Sequence, residues 1–234
     1  MTKTIRPTVT ALALYSIAVS ASAALIIASL VHRVPMDITE VLGFVTGGWA
    51  VWLTVKQNIW NWPIGIANSA FYVVLFFQAR LYADTSLQFV YIVLGFLGWY
   101  WWLRGGERHT RLDVARTGPT TAVLLGVVAA AGTIGLAIFL ARVHDSAPFL
   151  DALTTVLSLV AQYMLTRKLL ENWLVWMTAD VVYVGLYASR HLYLTSVLYA
   201  VFFSMCVAGL LQWRDSLRTG GNAAIDAGST AVAV

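Results

Sequence analysis

Residues 61–82 read NWPIGIANSAFYVVLFFQARLY, and residues 172–193, 111 positions later, read NWLVWMTADVVYVGLYASRHLY. Both stretches begin with Asn-Trp, carry Tyr-Val in the middle and end with Leu-Tyr. The same offset gives 11 identities over the 45 ungapped pairs from Trp60 to Arg104. Composition alone would give roughly three or four, so the pattern indicates an internal duplication.

The composition is that of a membrane protein. Of the 234 residues, 59% are hydrophobic and 11% are charged, with a mean hydropathy of +0.75. Average chains contain about 25% charged residues, so these numbers argue against a soluble enzyme and a disordered chain. The single Cys206 has no partner for an intramolecular disulfide. The net charge of +4 comes from Lys and Arg between apolar runs, where we expect them to set membrane orientation rather than to bind nucleic acid.

Eight apolar runs are long enough to span a bilayer, which requires about 20 residues. We therefore predict an all-α membrane protein with eight transmembrane helices. The first run follows Lys3 and Arg6 and contains a possible cleavage site at residues 21–23, but its length favours an uncleaved helix over a signal peptide. The runs lie at residues 8–31, 39–56, 62–79, 85–103, 119–141, 149–166, 171–188 and 192–212.

The duplicated units are the second to fourth runs and the sixth to eighth runs. Corresponding runs are four apart, so the two units point the same way through the bilayer, as in transporters built from parallel repeats. We predict five segments: an N-terminal segment with an extra transmembrane helix (1–38), a first three-helix bundle (39–104), a cytoplasmic loop and linker helix (105–148), a second three-helix bundle (149–215) and a disordered cytoplasmic tail (216–234).

The distribution of basic residues predicts how the two three-helix bundles, the linker helix and the extra N-terminal helix are oriented in the membrane. With eight spans, 11 of the 15 Lys and Arg residues fall on the side of the N-terminus. Basic loops tend to stay in the cytoplasm. Both termini are therefore expected to be cytoplasmic.

Asp180 is the most informative polar residue inside a predicted span. It lies nine residues after Glu171, which is about 13 Å along a helix and close to the bilayer centre. An ionised carboxylate there costs roughly 2.5 to 3.5 kcal/mol and requires a partner, a proton or a cationic ligand. No Lys or Arg is predicted at that depth. A protonated Asp180 that is hydrogen-bonded between helices is the structural alternative.

Aromatic and amide side chains accompany Asp180 at helical spacing. Aromatic faces next to an anion could hold a planar cation by stacking and cation–π attraction, and buried amides suit hydroxyls and a carboxamide. Helix packing, interhelical hydrogen bonds and an interfacial aromatic belt are alternative explanations of the same pattern. The candidate substrate-binding residues are Asn68, Tyr72, Gln88, Tyr91, Gln162, Trp173, Trp176, Asp180 and Tyr183.

Several ordered motifs resemble the PnuC family of bacterial vitamin transporters. The first half contains WPIGIAN at 62–68, FF at 76–77, LYAD at 81–84, Gln88 and LGFLGWY at 94–100. The second half contains RK at 167–168, followed by ENWLVW at 171–176. The resemblance covers about residues 40–214.

This resemblance implies uptake of nicotinamide riboside, an NAD precursor, through a SWEET-like fold in the bacterial inner membrane. It further implies facilitated diffusion with alternating access, a homotrimer, and a cytosolic kinase that traps the product by phosphorylation. Asp180 stands where riboside carriers often have Asn, so thiamine and riboflavin are alternative substrates. No cofactor, metal or nucleic-acid partner is expected.

Three other classes fit less well. An intramembrane metalloprotease needs paired His ligands on a helix, but all four His residues lie in loops or at span ends. A retinal-binding pump needs a Lys at mid-membrane, and the Lys residues all lie at span edges. We therefore expect no enzyme. A purely structural membrane protein is the other alternative, although it would not require Asp180 at the midplane.

Overall fold

The described residues of this protein are almost entirely helical. The computed structural model describes residues 22, 27, 38–78, 80, 82–144, 147–189, 191 and 193–232. A short 3-10 turn, Glu107–His109, follows the third of their seven α-helices. The predicted all-α class is therefore confirmed for this part of the chain. The helices are α1 (Ile38–Val55), α2 (Asn61–Gln78), α3 (Tyr82–Arg104), α4 (Pro119–Arg142), α5 (Pro148–Thr166), α6 (Asn172–Ser189) and α7 (Tyr193–Val232).

Four segments of these helices are long and apolar enough to cross a membrane: Asp84–Arg104, Pro119–Arg142, Pro148–Thr166 and Ser196–Thr219. A shorter apolar segment, Val41–Val55, lies in α1. Helices α1 to α7 coincide with the second to eighth predicted runs. The first run, with its signal-peptide alternative, falls outside the described residues except for Ser22 and Ile27, which are helical. The count of eight spans stays a prediction.

Helix α7 differs from the prediction at its C-terminal end. It continues to Val232, whereas the sequence predicts a disordered tail from residue 216. The added segment contains no proline, so its backbone can continue the helical hydrogen bonds. The expected disorder of the tail stays a prediction, as do the other predicted segment bounds.

The chain divides into two compact units, Met1–Gly48 and Trp49–Val234. In the first unit, the Thr46 hydroxyl donates a hydrogen bond of 2.7 Å to the Leu42 carbonyl within α1. The candidate site and everything described below lie in the second unit.

Helix boundaries reproduce the 111-residue offset of the sequence repeat. Helices α2 and α6 begin at Asn61 and Asn172 and have the same length of 18 residues. Helices α1 and α5 end at equivalent positions, and α3 and α7 begin at equivalent positions. The duplication seen in the sequence is thus also present in the arrangement of helices along the chain.

The turns of the two repeats share an unusual backbone conformation. Gln57 and Lys168, which are 111 positions apart, have φ angles of 52° and 55°, and Arg80 and His191 have φ angles of 60° and 59°. Residues other than glycine adopt the left-handed region infrequently. Four such residues at two equivalent positions therefore extend the duplication into the connections.

A tryptophan packs on a glycine in each repeat. The Trp62 ring meets Trp102 edge to face at 5.4 Å, and the Trp173 ring meets Trp213 in the same way at 5.3 Å. A Cβ atom on Gly98 would collide with the Trp62 ring, and one on Gly209 would lie 2.5 Å from the Trp173 ring. Glycine therefore allows α3 and α7 to approach the indoles of α2 and α6.

A segment that we call the strap, residues 105–118, holds the turn between α5 and α6. Ala115 N donates to the Lys168 carbonyl at 3.1 Å, and Leu170 N donates to the Ala115 carbonyl at 2.8 Å. The Lys168 ammonium donates to the Leu112 carbonyl at 2.9 Å and lies 4.7 Å from the centre of the Trp102 ring. Burial lowers the pKa of Lys168 to about 8, opposed by the charge of Asp113.

We predict that alanine at Gly98 or Gly209 destabilises the protein, because the added methyl group collides with an indole ring. Overpacking of this kind costs about 1 to 3 kcal/mol. Thermal unfolding in detergent, followed by tryptophan fluorescence, would measure the loss. Gly126→Ala in α4 is the matched control, because nothing lies within 4 Å of the added atom. Equal unfolding temperatures for all three variants would contradict the packing described here.

Candidate functional site

Asp180 is a buried carboxylate between α6 and α7. It is 5% exposed, and the thiol of Cys206 on α7, which is 4% exposed, donates to its Oδ2 at 3.6 Å. No basic side chain within the described residues forms an ion pair with it. The described residues therefore show Asp180 buried without a basic partner, and the Cys206 thiol is the hydrogen-bond donor that they place at its carboxyl group.

Three tyrosine rings form a stack beside Asp180. The Tyr199 ring on α7 stacks on Tyr183 at 4.5 Å and on Tyr187 at 5.4 Å, both from α6. Tyr183 lies three residues after Asp180, on the same face of α6. One end of the stack is therefore next to the carboxylate, which is the combination of anion and aromatic faces that the sequence predicts.

Helices α3 and α5 reach the same cluster. The Tyr183 hydroxyl is hydrogen-bonded to Thr154 of α5 and lies close enough to Tyr91 of α3 for electrostatic interaction. The Tyr91 hydroxyl donates to Ser158 of α5 at 2.6 Å. Side chains of both repeats thus meet near Tyr183. Within the described residues, no group of three His, Cys, Asp or Glu side chains is placed to hold a metal ion.

The two tryptophans of α6 that the sequence predicts for the site, Trp173 and Trp176, pack in an apolar cluster around Trp213 and not against the tyrosine stack. Trp173 is 2% exposed and is packed against Trp213, and Trp176 packs on the same apolar cluster. Trp173 therefore serves the packing of its repeat. A contribution of either indole to substrate binding stays a prediction.

The remaining predicted residues are half-buried. Tyr72 of α2 stacks on Phe76 at 5.3 Å, and Asn68 lies one turn before it on the same helix. Gln88 of α3 and Gln162 of α5 have no hydrogen-bond partner among the described residues. Their convergence on one site stays a prediction.

The candidate set leaves out three residues of the cluster: Tyr187, Tyr199 and Cys206. Helical spacing places Tyr187 on the same face as Asp180 and Tyr183, so the sequence predicts its position on this wall although the candidate set does not include it. Tyr199 stands 111 positions after Gln88, and the repeat relation would have found it. Cys206 lies 111 positions after Gly95, and nothing in the sequence pattern points to its contact with Asp180.

A reciprocal pair of hydrogen bonds, which we call the tryptophan clasp, joins the repeats. Trp102 Nε1 donates to the Leu165 carbonyl at 3.1 Å, and Trp213 Nε1 donates to the Thr54 carbonyl at 3.1 Å. Both the donors and the acceptors are 111 positions apart, and the two indole rings meet at 5.8 Å. Each repeat therefore donates to the other at the equivalent carbonyl.

Buried polar atoms next to the clasp are also paired by the repeat. Trp62 Nε1 and Trp173 Nε1 are buried without a hydrogen-bond partner, and so are the Oδ1 atoms of Asn61 and Asn172. The Asn61 amide donates to Thr54 Oγ1 at 3.1 Å, and the Asn172 amide donates to the Leu169 carbonyl at 2.6 Å. The two Asn-Trp pairs thus hold the helix starts in matching positions.

Known proteins share both the sequence pattern and the fold. A family model described as nicotinamide mononucleotide transporter matches residues 37–215. The nicotinamide riboside transporter PnuC of Escherichia coli (strain K12) is 28% identical over 212 residues, which cover 80% of this chain and 89% of that protein. The riboflavin/roseoflavin transporter RibM of Streptomyces davaonensis is 27% identical over 190 residues, which cover 76% of this chain and 87% of that protein.

The crystal structure of the vitamin B3 transporter PnuC has the same fold. It matches with a TM-score of 0.65 at 21% identity, over 87% of this chain and 92% of that chain. The family model covers well over half of the sequence, and its range includes the motifs from which the sequence analysis predicts the family. This chain belongs to the nicotinamide mononucleotide transporter family, the family of the PnuC transporters.

Proposed function

We propose that this protein carries nicotinamide riboside across the membrane by facilitated diffusion. The observation that carries the proposal is Asp180, which is buried beside stacked tyrosine rings with no basic partner among the described residues. Nicotinamide riboside contains a planar pyridinium cation and a ribose. The carboxylate would neutralise the cation, and the ring of Tyr183 or Tyr199 would offer its face to the pyridinium.

We further propose that polar side chains of the predicted site bind the rest of this substrate. Gln88 and Gln162 have amides without hydrogen-bond partners among the described residues, and amides both donate and accept. We assign them, with Asn68 and Tyr91, to the hydroxyl and carboxamide groups. Tyr72 and the indoles of Trp173 and Trp176 complete the proposed set of substrate-binding residues.

A second candidate substrate is riboflavin, because the similar protein RibM carries that name. Riboflavin has a planar ring system that could stack on tyrosines, but it is uncharged and would leave a buried carboxylate without a counter-ion. Thiamine, a cation, would use Asp180 in the same way as nicotinamide riboside. The charge of the substrate therefore separates the candidates.

We propose that the fold is SWEET-like, with eight transmembrane helices. Helices α1–α3 and α5–α7 would be parallel three-helix bundles with α4 as the linker, since corresponding helices are four apart along the chain. The reciprocal clasp supports a two-fold relation, because each repeat donates to the same carbonyl of the other. A site near the axis between such bundles can be exposed to each side in turn.

The tryptophan clasp would close the site at one end. The basic residues Lys56, Arg167 and Lys168 lie in the turns beside it, and basic loops tend to face the cytoplasm. Opening toward that side would separate Trp102 from Leu165 and Trp213 from Thr54. Rocking of the two bundles would make and break both bonds together.

The resemblance to the PnuC family suggests where the protein acts in the cell. The protein would lie in the bacterial inner membrane as a homotrimer, with both termini in the cytoplasm, and a cytosolic kinase would trap the imported vitamin by phosphorylation. A purely structural membrane protein, the other alternative, would not require a buried carboxylate beside stacked tyrosine rings.

Proteoliposome uptake tests the substrate. We expect radiolabelled nicotinamide riboside to enter until the inner and outer concentrations are equal, without a proton or sodium gradient, because facilitated diffusion only equilibrates its substrate. Thiamine and riboflavin are measured in parallel. If folded protein transports none of the three vitamins, the carrier proposal is refuted. If it transports riboflavin alone, riboflavin and not nicotinamide riboside is the substrate.

We predict that Asp180→Asn weakens binding of nicotinamide riboside about tenfold or more, since it removes a buried charge-assisted contact. Isothermal titration calorimetry in detergent measures the affinity. Asp215→Asn, an exposed carboxylate on α7, is the control and should bind as wild type does. Unchanged affinity after Asp180→Asn would refute the counter-ion role.

If the clasp closes one end of the site, breaking it should make Cys206, the single cysteine, more accessible to thiol reagents. Removing both donors in Trp102→Phe/Trp213→Phe should raise its labelling by a membrane-impermeant maleimide about fivefold or more, because each buried hydrogen bond contributes about 1 kcal/mol to the closed state. The reagent is added from the cytoplasmic side, using inside-out vesicles.

The matched control is Trp62→Phe/Trp173→Phe. It makes the same change in ring size at repeat-related positions, but the N–H groups that it removes have no partner. Cys206→Ser gives the background. Labelling that rises equally in both double variants would show that ring size, and not the pair of bonds, closes this end.

A further inference from the structure

A groove with two arginines lies outside the proposed substrate site. It has a volume of about 200 Å³ and is formed by the strap, the start of α6 and the middle of α7. Arg116 and Arg214 are its basic residues, and Leu170, Leu174 and Leu211 are its apolar walls. We refer to it below as the arginine groove.

The groove has an excess of positive charge. Glu171 also lines it, but its Oε2 accepts hydrogen bonds from both the backbone N and the hydroxyl of Thr117, each at 2.7 Å. Neither Arg116 nor Arg214 is engaged by a hydrogen bond or an ion pair within the described part of the chain. Two guanidinium groups are therefore available to an anion, opposed by one carboxylate that already has partners.

The position of the groove matches the boundary of a membrane. Arg116 comes three residues before Pro119, where the most apolar of the candidate spans begins, and Arg214 lies near the end of the span Ser196–Thr219. Leu174 and Leu211 are 47% and 55% exposed. Basic groups near the ends of apolar segments thus lie beside exposed leucines.

We propose that the arginine groove binds an anionic phospholipid. The lipid phosphate would accept hydrogen bonds from Arg116 and Arg214, as guanidinium groups favour planar contacts to phosphate oxygens, and an acyl chain would lie along Leu174 and Leu211. Basic pockets between transmembrane helices bind anionic headgroups in this way. A soluble phosphate ester would use the arginines but would leave the leucine walls uncovered, so the groove is assigned to a lipid.

The occupied groove would join three parts of the fold. The strap provides Arg116, α6 provides Leu174, and α7 provides Leu211 and Arg214. A lipid bound to all three would hold the strap and the turn that it contacts against α7. Because Cys206 and Tyr199 lie on the same α7 helix, the lipid would stabilise a wall of the central cluster without entering it.

Native mass spectrometry of the full chain, released from detergent with phosphatidylglycerol or phosphatidylcholine, tests this proposal. We expect phosphatidylglycerol to bind more tightly than the zwitterionic lipid. Arg116→Gln and Arg214→Gln should each weaken phosphatidylglycerol binding about fivefold, and the double variant should weaken it further, because each basic contact to an anionic lipid contributes about 1 kcal/mol.

The control variant Arg104→Gln/Arg218→Gln removes the same charge from residues outside the groove and should bind phosphatidylglycerol as wild type does. Circular dichroism without added lipid verifies that each variant is folded. Equal weakening in both double variants would show attraction to general surface charge and overturn the proposal. It would also be overturned if phosphatidylcholine bound as tightly, or if sn-glycerol 3-phosphate competed at equal concentration.

Discussion

The exchange of hydrogen bonds between Trp102 and Leu165 and between Trp213 and Thr54 is the contact on which the arrangement of the two repeats depends. An indole N–H that is buried without an acceptor is costly, so each of these two bonds to a carbonyl of the other repeat stabilises the contact between the repeats. Because the acceptors lie at the ends of α1 and α5, the bonds hold those ends against the indoles. The clasp therefore fixes where α3 and α7 lie.

Packing beneath the clasp explains why two kinds of tryptophan position occur. Trp62 and Trp173 rest on Gly98 and Gly209 and contact the clasp rings edge to face. Their own N–H groups are buried without partners, a cost that the aromatic contacts offset. The helices of each repeat can approach closely only because the glycines leave room for the indoles.

The equivalent turns of the two repeats form hydrogen bonds with different parts of the chain. Lys56 and Gln57, in the turn after α1, donate to Gln212 and Ser216 of α7 at 3.1 Å and 2.8 Å. The turn after α5 is instead bonded to the strap through Ala115. Within the described residues, the strap forms hydrogen bonds with only the second of these turns. The two turns therefore share a backbone conformation but differ in the side chains and segments that hydrogen-bond to them. The arginine groove lies on this asymmetric side.

The sequence by itself determined the helical class, the positions of seven helices, the duplication and the burial of Asp180, because apolar length, helical period and the cost of a carboxylate in lipid are local properties of the chain. Only the tertiary structure decided which neighbours each face meets. Trp173 and Asp180 share one helical face, yet Trp173 packs on Gly209 while Asp180 meets Cys206. The helical period determines which face of a helix a residue lies on. Its contacts depend on how a neighbouring helix is rotated about its own axis, and tertiary packing determines that rotation.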